Sequence, residues 1–312
     1  MNRTTPRIAV LIPCYNEEVA IGTVVCDFRC ALPEALIYVF DNNSQDRTVE
    51  VARDAGAIVR QVPLQGKGNV VRRMFADIDA DAYVLVDGDD TYHAASASAM
   101  VAKLFDENLD MVVSRRVTDE AAAYRTGHRF GNWVLTEFVA RLFGRAFTDI
   151  LSGYRVFSRR FVKSFPALAT GFEIETELTV HALELRMPIE EISSPYKSRP
   201  EGSLSKLNTY RDGVRILWTI FKLFRLERPL AFFGIFSAGL VLVSLALSIP
   251  LFLTYAQTGL VPRFPTAILS TGMMITAFLS FACGLILDTV THGRHEMKRL
   301  AYLQIAPPRV ES

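Results

Sequence analysis

Cysteine and histidine are scarce in this chain, four and five in 312 residues. Cys14, Cys26, Cys30 and Cys283 make no paired metal-ligand spacing. That excludes a small disulfide scaffold and fits free thiols in a reducing cytoplasm. An excess of either charge is also missing: 34 Lys+Arg stand against 33 Asp+Glu, a formal net charge of +1. Balanced charge argues against a dedicated nucleic-acid binder. No signal peptide is expected, because the apolar run Ile8–Ile12 is too short for an h-region and leads into Pro13. The most informative absence is local. Between Pro229 and Leu287 the only charged residue is Arg263.

Residues 229–262 and 264–287 are each free of Asp, Glu, Lys and Arg. A hydrocarbon core of roughly 30 Å takes about 20 helical residues, so each stretch is long enough to span. Gln257-Thr258-Gly259 and Pro262-Arg263-Phe264-Pro265 read as the turn between two transmembrane helices, with Pro250 expected to kink or end the first. Lys222, Arg225 and Arg228 precede the hairpin, and Arg294, Lys298 and Arg299 follow it. By the positive-inside tendency both termini face the cytoplasm, which makes this an integral protein of the cytoplasmic membrane. Between Tyr210 and Leu226, Arg211, Arg215, Lys222 and Arg225 alternate with Val214, Leu217, Trp218, Phe221 and Phe224. That pattern predicts a basic amphipathic helix suited to the headgroup layer, a core helix being the alternative. The expected organisation is a soluble domain at 1–207, an amphipathic helix at 208–228, a hairpin at 229–288 and a tail at 289–312.

The soluble part reads as an α/β domain. Arg7–Pro13, Ala35–Phe40, Ala57–Gln61 and Ala82–Val86 are strand-like runs; Glu17–Arg29, Thr48–Ala55 and Gly68–Ile78 have helical spacing. Alternation of this kind predicts a largely parallel sheet with ligands beyond the strands' carboxyl ends. Tyr15-Asn16-Glu17, Asp41 and Asp87-Gly88-Asp89 stand at three such ends. Asp87 and Asp89, at i and i+2 after a buried strand, can share one hard cation, Mg²⁺ or Mn²⁺, that leaves positions for phosphates. A solvated acidic turn is the alternative; the preceding apolar run Tyr83–Val86 favours the metal. Gly66-Lys67-Gly68 opens a helix, where free N–H groups and a lysine suit a phosphate.

Taken in order, Ile12-Pro13-Cys14-Tyr15-Asn16-Glu17-Glu18, Asp41-Asn42-Asn43-Ser44-Gln45-Asp46-Arg47-Thr48, Gly66-Lys67-Gly68 and Val86-Asp87-Gly88-Asp89-Asp90 resemble the motifs of family 2 glycosyltransferases. The likeness continues through Ser114-Arg115, residues 125–132, Ser152-Gly153-Tyr154-Arg155, Phe172-Glu173-Ile174-Glu175 and Arg199–Leu207. With the two spans, it resembles the polyprenyl-phosphate glycosyltransferases of the dolichyl-phosphate mannose synthase type. This implies a GT-A fold, Rossmann-like with a mostly parallel sheet. It also implies inverting, metal-dependent transfer of a hexosyl group from a nucleoside-diphosphate sugar to a membrane polyprenyl phosphate, for glycan or lipid modification. The Q-x-x-R-W signature of processive polysaccharide synthases is absent. Thr91 stands where some mannose synthases place Gln, which leaves the third metal ligand open.

By this resemblance Pro13, Tyr15, Glu17 and Asp41 hold the nucleoside, and Asp87 and Asp89 hold the metal on the donor diphosphate. Lys67, Arg199 and Lys206 add positive charge. Arg115, Arg125 and Arg129 are candidate ligands of the acceptor phosphate, since Arg grips phosphate in a bidentate fork. Asp149 is a candidate to orient the acceptor or an arginine. Glu173 and Glu175 are candidates to lie near the sugar, acids at a helix N-terminus being the alternative, and His93, His128 and His181 are given no chemistry. A homo-oligomer is compatible with the hairpin. Two other functions stay open: transfer to another membrane lipid, such as a diacylglycerol or ceramide, and a non-catalytic scaffold that binds sugar nucleotide.

Overall fold

The structure, a computed structural model, describes residues 6–117, 136–141, 148–167, 171, 173–200, 218–219 and 221–308. The chain forms two compact units, Met1–Ile216 with Lys298–Ser312, and Leu217–Met297.

The first unit is built on one sheet of seven strands: β1 (Ile8–Cys14), β2 (Leu36–Asp41), β3 (Ile58–Gln61), β4 (Ala82–Leu85), β5 (Met111–Val117), β6 (Arg155–Ser158) and β7 (Ile189–Pro195). Their order is β3-β2-β1-β4-β6-β5-β7. The first four run parallel, as the alternating pattern predicts. β6 lies antiparallel to both β4 and β5, and β7 returns parallel to β5. β4 is buried along its whole length, which is why it reads as an unbroken apolar run.

Helices α1 (Ile21–Ala31), α2 (Thr48–Asp54), α3 (Lys67–Asp77), α4 (Ser96–Asp106), α5 (Arg159–Ser164) and α6 (Ile174–Glu184) complete the unit. α1 buries Ile21, Val24, Val25 and Phe28, one face at i, i+3, i+4 and i+7. It starts at Ile21 rather than at Glu17: residues 18–20 form a turn, and the Glu17 N–H is held by Thr48 Oγ1 at 2.8 Å. Residues 15–18 therefore belong to the loop beyond β1. Ser158 caps α5 by accepting from Phe161 N at 3.1 Å. Lys163 on α5 donates to the carbonyls of Phe75 and Ile78, satisfying the end of α3. One core layer packs Val10, Ile12, Val84, Val112, Tyr154 and Val156 with the buried face of α1 and with α4. Elsewhere Phe75, Phe157, Phe161 and Phe165 form an aromatic cluster, and the ring of His181 lies edge-on to Phe161.

The expected hairpin forms α7 (Pro229–Thr258) and α8 (Phe264–Leu303), with mean hydropathies of 2.4 and 1.9 over their most apolar stretches. Both are long and apolar enough to cross a membrane, and only 11% and 17% of those stretches are buried, unlike core helices of a soluble protein. Within the second unit their crossing is fastened by hydroxyls: Ser237 Oγ donates to Ala277 O at 2.8 Å and Ser244 Oγ to Ser270 O at 2.7 Å. Pro250 lies inside α7 and does not end it. α8 also runs past the expected boundary at 288, because helix formation does not require the apolar pattern to continue. Its end belongs to the first unit, where Lys298 Nζ reaches Glu184 Oε2 at 2.5 Å and Tyr302 donates to Asp110 Oδ2 at 2.8 Å. Before α7, residues 221–227 are helical, with Trp218 and Phe221 exposed and stacked. The rest of the expected amphipathic helix, residues 210–217 and 220, lies outside the described residues.

Candidate active site

Three loops beyond the parallel strands each contain a non-glycine residue with positive φ: Asn16 after β1, Asn43 after β2 and Asp90 after β4. Asn and Asp tolerate this region best, and such backbones persist where surrounding structure holds them. The holding bonds are specific. Asn16 N donates to Ser44 Oγ at 2.9 Å, and Gln45 N donates to Asn16 Oδ1 at 2.8 Å. Asn42 donates to Val62 O and Leu64 O and accepts from Gly66 N at 2.7 Å. Gly66 has φ 124°, which a side chain would strain, and the chain turns there into α3 so that Lys67 is its first residue.

Pro13 and Asp41 lie on β1 and β2, with Tyr15 and Glu17 in the following loop. Asp41 is 2% exposed; its Oδ2 accepts from Ser44 N at 3.2 Å, while its buried Oδ1 has no hydrogen-bond partner among the described residues. A buried orphan acceptor is costly unless a donor arrives. It fits an N–H or O–H donor of a ligand.

At the end of β4 the acids meet cations. Lys67 Nζ lies 2.5 Å from Asp87 Oδ1 and 2.5 Å from Glu175 Oε1. Burial alone lowers a lysine pKa; Asp87 and Glu175 outweigh it and hold Lys67 above its ordinary value. Arg199 Nη2 lies 2.6 Å from Asp89 Oδ2, and Thr91 Oγ1 donates to Asp89 Oδ1 at 2.7 Å. Thr91 thus orients Asp89. Burial and then the charge of Asp87 push the Asp89 carboxyl upward, against Arg199 and Thr91. Two neighbouring carboxylates, each already paired with a cation, suit a hard divalent cation in donor chemistry and charge. Arg199 is brought here because Lys197 N donates to Thr91 O at 3.0 Å and Tyr196 bridges Tyr92.

Of the two roles expected for Asp149, the structure supplies the arginine. Arg116 grips it with Nε to Oδ2 at 2.7 Å and Nη2 to Oδ1 at 2.8 Å. Arg115 donates not to Asp149 but to Ser193 Oγ on β7, at 2.8 Å. Arg155 is fully buried and lowered to about 10 by that burial. It donates to Ile150 O, Ser152 O and Thr179 Oγ1, so it organises the protein interior. The structure therefore brings together Lys67, Asp87, Asp89, Glu175 and Arg199, with Asp41 at the end of β2, across β1 from β4. Arg125, Arg129 and Lys206 lie outside the described residues. Sequence reasoning missed Arg116 and Tyr92; neither carries a spacing signal, and only their partners reveal them.

Residues 9–165 match the family model for glycosyl transferase family 2. The chain belongs to this family. Glycosyltransferase AglJ of Haloferax volcanii is 32% identical over 96% of this chain and 99% of its own length. A dolichyl-phosphate hexose transferase of the same organism is 29% identical over 71% of this chain and 95% of its own. The glucosyl-3-phosphoglycerate synthase of Mycobacterium tuberculosis, solved with Mn²⁺, UDP-glucose and phosphoglyceric acid, has a similar fold. Its TM-score is 0.56 at 24% identity, over 69% of this chain and 79% of that one. The chain is thus a glycosyltransferase of GT-A fold with two C-terminal helices able to span a membrane.

Proposed function

We propose that this glycosyltransferase moves a hexosyl group from a nucleoside-diphosphate sugar to a membrane polyprenyl phosphate, with inversion. The reading rests on the half-buried Asp87 and the buried Asp89 set among Lys67, Glu175 and Arg199, in a chain that also carries two membrane-length helices. The similarity to a dolichyl-phosphate hexose transferase supports the acceptor class. The Mn²⁺ and UDP-glucose bound to the mycobacterial neighbour support the donor and cofactor class.

Asp87 and Asp89 are the residues to hold Mg²⁺ or Mn²⁺, which when bound supplies Lewis-acid stabilisation of the departing diphosphate. Asp41 offers its orphan Oδ1 to the nucleoside, beside Pro13, Tyr15 and Glu17. Lys67 and Arg199 add positive charge on the donor side, with Lys206 as a further candidate. The acceptor requires no general base. A phosphate monoester has a second pKa of about 6 and is already largely dianionic at neutral pH. It needs positioning, the role assigned to Arg115, Arg125 and Arg129, whereas a sugar or lipid hydroxyl would need a carboxylate base. The basic residues on both sides of the hairpin favour a cytoplasmic catalytic domain with both termini on the same side.

The test is a panel of nucleotide sugars given to the purified protein with Mn²⁺ and one polyprenyl phosphate. One donor should yield a polyprenyl-monophosphate hexose, and Asp89→Ala should abolish it. Full turnover in Asp89→Ala would remove the metal assignment.

A further inference from the structure

The loop between residues 148 and 155 is braced along its length. Glu191 on β7 accepts from Thr148 N at 2.8 Å, Thr148 Oγ1 at 2.7 Å and Asp149 N at 3.2 Å. Arg116 on β5 holds the Asp149 carboxylate through two parallel bonds, the strongest geometry available to that pair. Arg155 ties down the carbonyls of Ile150 and Ser152 at 2.5 and 2.9 Å. The buried hydroxyl of Tyr92 accepts from Gly153 N at 2.8 Å. All these anchors converge on one contact. A Cβ built on Gly153 would collide with Asp87 Oδ2 and lie 3.0 Å from Asp87 Cγ, with no backbone atom among its nearest neighbours. Gly153 does not have a positive φ, so its backbone conformation does not itself demand glycine. The demand comes from the Asp87 side chain.

We infer that the 148–155 loop is a rigid backstop that sets the position of the Asp87 carboxylate, with Gly153 as the contact point and Asp149, Arg116 and Tyr92 as positioning residues acting through it. The carboxylate is held between Lys67 on Oδ1 and the Gly153 backbone beside Oδ2. A shift of a few tenths of an ångström matters at a cation that demands near-ideal ligand geometry. This gives a role to an Asp149 that is 5% exposed and bound to an arginine. The inference rests on the metal assignment above.

The experiment measures Mn²⁺ binding to the intact protein by loss of the free-ion EPR signal. It is done with whichever of UDP and GDP raises the wild-type melting temperature more. Gly153→Ala should weaken Mn²⁺ at least about 10-fold, as displacement of a first ligand's carboxylate requires. In an Asp87→Ala background, which has already lost a metal ligand, the same change should leave the melting temperature unmoved, because the clash has lost its partner. Asp149→Asn should weaken Mn²⁺ several-fold, and it decides the matter should Gly153→Ala fail to fold. Wild-type Mn²⁺ affinity in Gly153→Ala or in Asp149→Asn, or equal losses of melting temperature in the two backgrounds, would overturn the backstop. Failure of the wild type itself to bind Mn²⁺ would instead overturn the metal assignment on which it rests.

Discussion

Lys67→Met is the most demanding substitution for the electrostatic reading of the site. Lys67 is 10% exposed and touches Asp87 and Glu175 at 2.5 Å each; the Glu175 side chain is 8% exposed, that of Asp87 28%. Methionine fills the same volume without charge, so two carboxylates lose their shared cation. Removing one partner of a buried ion pair costs about 3–5 kcal/mol, chiefly because the remaining charge is stranded. Asp87 can recover some hydration through its exposed edge; Glu175 cannot, which favours the lower end, about 3 kcal/mol. For a domain of about 200 residues that is a fall of roughly 10 °C in melting temperature. Thermal melting of the purified protein in detergent, without added metal, reads it directly. Adding Glu175→Gln should restore more than half of the loss, since it removes the stranded charge. A Lys67→Met protein that melts with the wild type, or a double variant worse than the single, would refute the triad.

Three further outcomes follow from buried polar groups outside the site. The Tyr154 hydroxyl is buried with no hydrogen-bond partner among the described residues, so Tyr154→Phe should raise stability by about 1 kcal/mol; a loss of that size would contradict its isolation. His181 is lowered to about 3 by burial, then by Lys298. The unfolded chain therefore binds a proton below about 6.5 that the native state refuses, costing up to about 1.4 kcal/mol per pH unit down to near 3. Relative to His181→Phe, the wild type should lose melting temperature between pH 7.5 and 5, and parallel curves would refute this. Tyr302→Phe removes the hydroxyl donor to Asp110 Oδ2, a fully buried carboxylate that Ser158 and Arg160 also bind. A cost of about 1–3 kcal/mol is expected in melting of the intact protein, and no change would show that the end of α8 does not brace the first unit.

The parallel half of the fold was legible because burial on both faces leaves apolar runs, as in Ile8–Ile12 and Ala82–Val86, that end at polar loops. The acids at 87 and 89 stood out for the same reason: their position is local to the strand that delivers them. The positive φ of Asn16, Asn43 and Asp90 was not legible. What escaped was pairing at a distance. Nothing near Glu175 in the chain points to Lys67, and Arg116 is indistinguishable from Arg115 until Asp149 faces it. The antiparallel insertion of β6 between β4 and β5 was likewise hidden, since four buried residues, Arg155 among them, lack a strand's usual pattern. The end of α8 at Leu303 was not legible either, because charge at Asp288 ends the apolar pattern without ending a helix.

The account stands most directly on the identity of the acceptor. Membranes carrying the purified enzyme, its cognate nucleotide sugar and Mn²⁺ are offered polyprenyl phosphate together with a diacylglycerol and a ceramide, and the lipid products are resolved by mass and anomeric configuration. The account predicts a polyprenyl-monophosphate hexose of inverted configuration as the product. Glycosylated diacylglycerol or ceramide with the polyprenyl phosphate untouched, or a product of retained configuration, would contradict it.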